Sequence, residues 1–140
     1  MARPNTNSDM RTDMAQNLGP AWHWESPQPQ GNNLRALWGI PVSAGVVEGP
    51  VRVVRTVEES RAVRPGDVLV APFTDVGWTP CFPVIAGLVT ELGSPLSHGA
   101  VVAREYGLPA VVSVRGATTA LRSGDRVRVD GLRGIVERLD

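Results

Sequence analysis

His98 is one of two histidines in the chain, and its neighbours are residue types that could handle a phosphoryl or other anionic group. An apolar run from Val84 to Val89 leads to Thr90, Gly93-Ser94-Pro95 follows as a turn, and Ser97-His98 opens a segment of helical character. Strand, loop and helix in that order put an imidazole at a helix N-terminus. Unpaired backbone N–H groups and the helix dipole there favour an anion by about 0.3–1 kcal/mol, up to about 2 kcal/mol when partly buried. Neutral imidazole is a good nucleophile near neutral pH, and one that attacks a phosphoryl group becomes a covalent carrier. Thr90 and Ser97 could add hydroxyl donors, while Gly93 and Gly99 would let the backbone come close to the group held.

Other chemistries fit these residues less well. Gly93-Ser94-Pro95 lacks the Gly-x-Ser-x-Gly elbow of a hydrolase, and Ser97 and His98, adjacent on a helix, point away from each other. His23 and His98 lie far apart and, with the single Cys81, match no zinc-ligand spacing. Spacing alone leaves two readings open, an anion-site nucleophile and a histidine that merely sits at a helix end.

The elements that must position this stretch are short and mostly extended. The 140 residues suit one domain, and their 14 basic and 14 acidic side chains cancel, so no overall field draws in nucleic acid or an anionic membrane. One cysteine rules out an internal disulfide and is expected as a small buried hydrophobe, in keeping with a reducing, cytoplasmic setting. No run approaches the roughly 18 apolar residues of a membrane span, and no signal peptide is evident.

Residues 1–33 are rich in Asn, Gln, Pro and Ser and are expected to be a flexible arm, with Trp22-His23-Trp24 as a sticky segment inside it. Residues 34–140 form the expected domain. Leu37 to Gly45 reads as extended, and Val46 to Val54 as two short strands around the turn Gly49-Pro50. A helical turn over Glu58–Val63 ends at Arg64-Pro65-Gly66-Asp67, and Val68–Ala71 follows as a buried strand. Gly77 to Pro83 holds too many breakers for more than a short helical turn. Ile85–Val89 is a buried strand, and His98–Tyr106 a helix stopped by Gly107 and Pro109. Ala110–Val114 reads as a strand, Ala117–Leu121 as a helical turn, and Arg126–Val129 as a strand whose arginines face solvent. A final strand is expected near Gly134–Leu139.

The stretch from Thr90 through Gly93-Ser94-Pro95-Leu96-Ser97-His98-Gly99 and Arg104-Glu105-Tyr106-Gly107 to Val112 closely resembles the phosphohistidine signature of the mobile, or swivelling, domain of PEP-utilising enzymes. That family includes phosphoenolpyruvate synthase, pyruvate phosphate dikinase and the rifampicin phosphotransferases. The similarity extends through Gly39-Ile40-Pro41, Gly66-Asp67-Val68-Leu69-Val70, Thr74-Asp75, Trp78-Thr79-Pro80 and Asp130-Gly131, and so covers roughly residues 37 to 139. The resemblance implies an α/β fold, a compact β/β/α sandwich, in which His98 accepts the phosphoryl group and Thr90 and Ser97 are the hydroxyls of the signature.

In the family this domain swings between an ATP-binding domain and a second site where the phosphoryl group is passed on. ATP and Mg2+ are accordingly expected on a partner, with no cofactor bound by this chain itself. Neither a nucleotide-binding domain nor a PEP barrel fits in 140 residues. The expectation is a carrier that accepts a phosphoryl group from an ATP-binding (or PEP-binding) partner, working with an ATP-binding phosphotransferase subunit and an acceptor-site subunit. The alternative is a non-catalytic interaction module that keeps the fold. Ser94 stands where many members have a second glycine. Arg104 matches the signature but lies near the far end of a short helix, where a structural or partner-binding role is at least as fitting; Glu91 and Asp75 are weaker candidates.

Overall fold

A computed structural model describes residues 36–139; the arm expected over residues 1–33, with Trp22-His23-Trp24, lies outside the described residues. Eight strands form two sheets that share one strand: β1 (Ala36–Trp38), β2 (Ile40–Ser43), β3 (Val46–Val53), β4 (Val68–Ala71), β5 (Gly87–Thr90), β6 (Ala110–Val112), β7 (Arg126–Asp130) and β8 (Ile135–Leu139). Helix α1 spans His98–Tyr106 and the one-turn α2 Ala117–Ala120, with 3-10 turns at Glu58–Ala62 and Val76–Cys81. The strand order is β1-β8-β7-β3-β4-β5-β6-β2.

Strand β3 is the hinge of this order. Its residues 46–50 pair antiparallel with β7, and residues 51–53 pair parallel with β4. The sequence reading of two strands around Gly49-Pro50 is thus corrected to one continuous strand. Pro50 lacks an N–H to give a ladder, and it stands where the strand changes partner rather than where it turns. A side chain at Gly49 would meet the carbonyl of Gly66 at 2.7 Å, so close passage of a neighbouring backbone accounts for the glycine.

Side-chain alternation then builds three layers. Val68 and Val70 of β4, Val89 of β5 and Val111 of β6 face the antiparallel sheet and pack with Val127, Val129 and Val136. Leu69, Ala71, Leu88, Ala110 and Val112 face the other way, against Ala100 and Ala103 of α1 and against Trp78, Cys81 and Phe82. The helix buries only Gly99, Ala100 and Ala103, so small residues let it lie close on the sheet. The expected β/β/α sandwich is the fold observed. Cys81 is buried, its Sγ 3.7 Å from the carbonyl of Ser60. Arg126 is exposed, and the half-buried Arg128 spans Glu48 and Glu137 at 2.8 and 3.1 Å. Ala110–Val114 shortens to Ala110–Val112 because Ser113 takes a left-handed φ of 59°. No helix among the described residues is long and apolar enough to cross a membrane.

Candidate phosphoryl-transfer site

The parallel strands β4, β5 and β6 end side by side, with Ala71 in register with Thr90 and Val89 with Val111. Loops leaving the C-terminal ends of parallel strands form the crevice where α/β folds place their ligands. Here the loop after β4 carries Thr74, and the loop after β5 carries Gly93 to Ser97 and ends at His98.

His98 is the first residue of α1, with Ser97 as the N-cap residue in extended conformation. The helical ladder starts with the Val101 N–H donating to the Ser97 carbonyl at 3.0 Å, which leaves the amides of His98, Gly99 and Ala100 ahead of the first i to i−4 bond. Gly107, at φ 70°, ends the helix where its sequence signals put the stop. The imidazole is half-buried, and its Nδ1 lies 3.2 Å from Thr74 Oγ1. The fully buried ring of Phe82 meets the imidazole edge-on, with centroids 5.9 Å apart and planes at 89°. Two faces of the side chain are therefore fixed, one by a hydrogen bond and one by an aromatic contact.

This arrangement needs a glycine at 99. A Cβ there would stand 2.9 Å from Thr74 Oγ1 and 3.1 Å from Leu88 Cδ2. Gly93, at φ 148°, brings the loop over Val112; a Cβ would lie 3.2 Å from Ser97 Oγ and 3.4 Å from Thr90 Oγ1. Beside His98 a cavity of about 100 Å³ is lined by Phe73, Thr74, Thr90, Gly93, Ser97 and Gly99 among others. His98 adjoins this cavity through Thr74 and Ser97 and is not itself part of the lining.

Thr90, Ser97, Gly93 and Gly99 are thus brought together with His98. The Thr90 hydroxyl donates to the Leu92 carbonyl at 2.8 Å and the Ser97 hydroxyl to the Ser94 carbonyl at 2.8 Å, so both protons hold the loop in this arrangement. Ser94 is exposed, and its Oγ accepts the Leu96 N–H at 3.2 Å. Arg104 works backwards along its helix: Nε donates to the Val42 carbonyl at 2.8 Å and the guanidinium also reaches the Pro95 carbonyl, tying the loop to β2. Glu91 points to α2, where one carboxylate oxygen accepts both the N–H and the hydroxyl of Thr118 at 2.8 and 2.6 Å. Asp75 accepts the Gly77 N–H at 3.0 Å and so caps the 3-10 turn.

Thr74 is the contact that sequence reasoning passed over. It lies 24 residues from His98, and only the parallel pairing of β4 with β5 reveals that both loops leave one edge. Among the described residues no three His, Cys, Asp or Glu side chains are placed to share a metal ion.

Comparison with known proteins bears on the fold and the family. The family described as PEP-utilising enzyme, mobile domain, matches residues 63–134. The rifampicin phosphotransferase of Bacillus cereus is 55% identical over 104 residues, which are 74% of this chain and 12% of that protein. The rifampicin phosphotransferase of Bacillus subtilis is 52% identical over 102 residues, 73% of this chain and again 12% of that protein. The chain thus spans about an eighth of these relatives' length. Among solved structures, an enzyme I protein studied by NMR superimposes with a TM-score of 0.50 and 32% identity, over 56% of this chain and 33% of that one. Aconitase X of Thermococcus kodakaraensis shares the fold at a TM-score of 0.57 and 21% identity, over 75% of this chain and 98% of that one. By the family match and the fold together, this chain belongs to the mobile-domain family of PEP-utilising enzymes.

Proposed function

We propose that this chain is a phosphohistidine carrier in which Nε2 of His98 is the nucleophile. The observation that carries the reading is the placement of His98 at the start of α1 with Nδ1 held at Thr74 Oγ1. When Nδ1–H donates to Thr74, the neutral ring has its lone pair on Nε2. That lone pair attacks the phosphorus of the donor, an N–P bond forms, and the P–O bond to the leaving group breaks with its electron pair on the departing oxygen. In the second half, an acceptor's oxygen attacks the same phosphorus and the N–P electron pair returns to Nε2. In this reading the unpaired amides at the start of α1 receive the phosphoryl oxygens, and the Thr90 and Ser97 hydroxyls join them by releasing the Leu92 and Ser94 carbonyls.

The phosphoryl donor is ATP, with its Mg2+, held on an ATP-binding partner, and the acceptor site lies on a second partner, as in a split PEP synthase-like or rifampicin phosphotransferase-like system. The test incubates the full chain and a candidate ATP-binding partner with ATP labelled in the β or the γ phosphate. Acid-labile label on the chain, absent from His98→Ala, is the expected result, and the label position identifies which phosphoryl group moves. Equal label in His98→Ala overturns the assignment. No label in either, with partner binding retained, favours an interaction module instead.

A further inference from the structure

Large apolar side chains stand exposed on both loops that flank His98. Phe73 and Val76, after β4, are 49% and 77% exposed, and Leu92 and Leu96, after β5, are 65% and 87% exposed. Phe73 and Leu92 meet in the wall of the cavity beside His98. Scattered surface leucines need no explanation, but a group of four around a reactive imidazole does.

The two loops themselves carry little charge. Across residues 72–80 and 92–103 the only Asp, Glu, Arg or His side chains are Asp75 and His98, and Asp75 is turned onto the Gly77 amide. An anionic phosphoryl donor arriving from solvent would be drawn in by free positive side chains, and the guanidinium that reaches these loops, that of Arg104, already donates to the carbonyls of Val42 and Pro95. An apolar rim instead fits contact with a protein surface, which seals water from the N–P bond whose hydrolysis competes with onward transfer.

We propose that Phe73, Val76, Leu92 and Leu96 are the docking surface for the protein partner that presents the phosphoryl donor, and that this partner meets them with an apolar, uncharged surface. The inference rests on the carrier reading of His98. The two are separated by using two phosphoryl sources on the full chain. Phosphoramidate, a small donor that phosphorylates imidazole without a protein, reports on His98 alone. ATP with the partner that labels His98 reports on docking as well.

Leu96→Gln and Val76→Gln are expected to lower the partner-dependent rate at subsaturating partner by about tenfold or more, to leave phosphoramidate labelling unchanged, and to fold normally because both side chains are exposed. Raising the salt should change the wild-type partner-dependent rate little. Leu132→Gln is the control, a leucine 70% exposed in the β7–β8 turn, outside the two loops that flank His98. An unchanged partner-dependent rate in the Leu96→Gln, Val76→Gln double variant overturns the docking surface, as does a steep fall with salt or an equal loss in Leu132→Gln. Absence of His98 labelling from both sources in the wild type overturns the carrier reading itself.

Discussion

On the proposed carrier reading, the contact that bears on the chemistry of His98 is on Nδ1, the nitrogen that does not react. A hydroxyl 3.2 Å from Nδ1 holds the ring's orientation, and when it accepts the Nδ1–H it leaves the lone pair on Nε2. Thr74→Val removes that hydroxyl at nearly constant volume. With a net hydrogen bond of about 0.5–1.5 kcal/mol at stake, labelling of His98 by phosphoramidate should slow by about three- to tenfold. Thr74→Ser keeps the oxygen and should recover most of the rate. Equal rates for Thr74→Val and the wild type would show that Thr74 does not orient the ring. His98 itself was legible in the sequence because it stands inside a long ordered signature. Thr74 was not, because a contact across 24 residues exists only once two parallel strands have paired.

At the scale of elements, the loop after β5 is held from both ends. Arg104 ties its Pro95 carbonyl to β2, and Glu91 ties its first residue to α2. Thr118 is 8% exposed, so Glu91→Ala leaves its N–H and hydroxyl in a nearly dry place without their acceptor. That should cost about 1–3 kcal/mol in denaturant unfolding. Both donors use the same oxygen, Oε2, so Glu91→Gln should recover most of the stability through its one carbonyl oxygen; a loss equal to that of Glu91→Ala would mean that the carboxylate charge is what matters. The two ends of α1 were legible because Ser97, Gly107 and Pro109 are local stop and start signals. The course of β3 was not. Gly49-Pro50 carries the local marks of a turn, and only the change of partner from β7 to β4 explains why the strand runs straight through it.

For the whole molecule, the two sheets must meet at both ends of the sandwich, and the end remote from His98 leaves the least room. Gly131, in the β7–β8 turn, donates its N–H to the Gly45 carbonyl at 2.7 Å, and a Cβ added there would stand 1.9 Å from the Ser43 carbonyl oxygen and 2.9 Å from the Ala110 nitrogen. These are backbone atoms of β2 and β6, which no rotamer change can move. The sequence marked Asp130-Gly131 only as a turn, because the strands that crowd it come from residues 40–43 and 110–112. Gly131→Ala must therefore lift the hairpin off both strands, at about 3 kcal/mol or more. For a domain of this size that lowers Tm by about 10 °C or more. Gly131 itself stands at Ala110, which begins β6, whereas Val112 ends it under Gly93, so the strain starts at the end away from the imidazole. Thermal melts paired with phosphoramidate labelling in the cold should then show a lowered Tm and an unchanged labelling rate. A lost rate with an unchanged Tm would mean that the hairpin end and the His98 end are not independent, and that the sandwich passes strain from one to the other along β6.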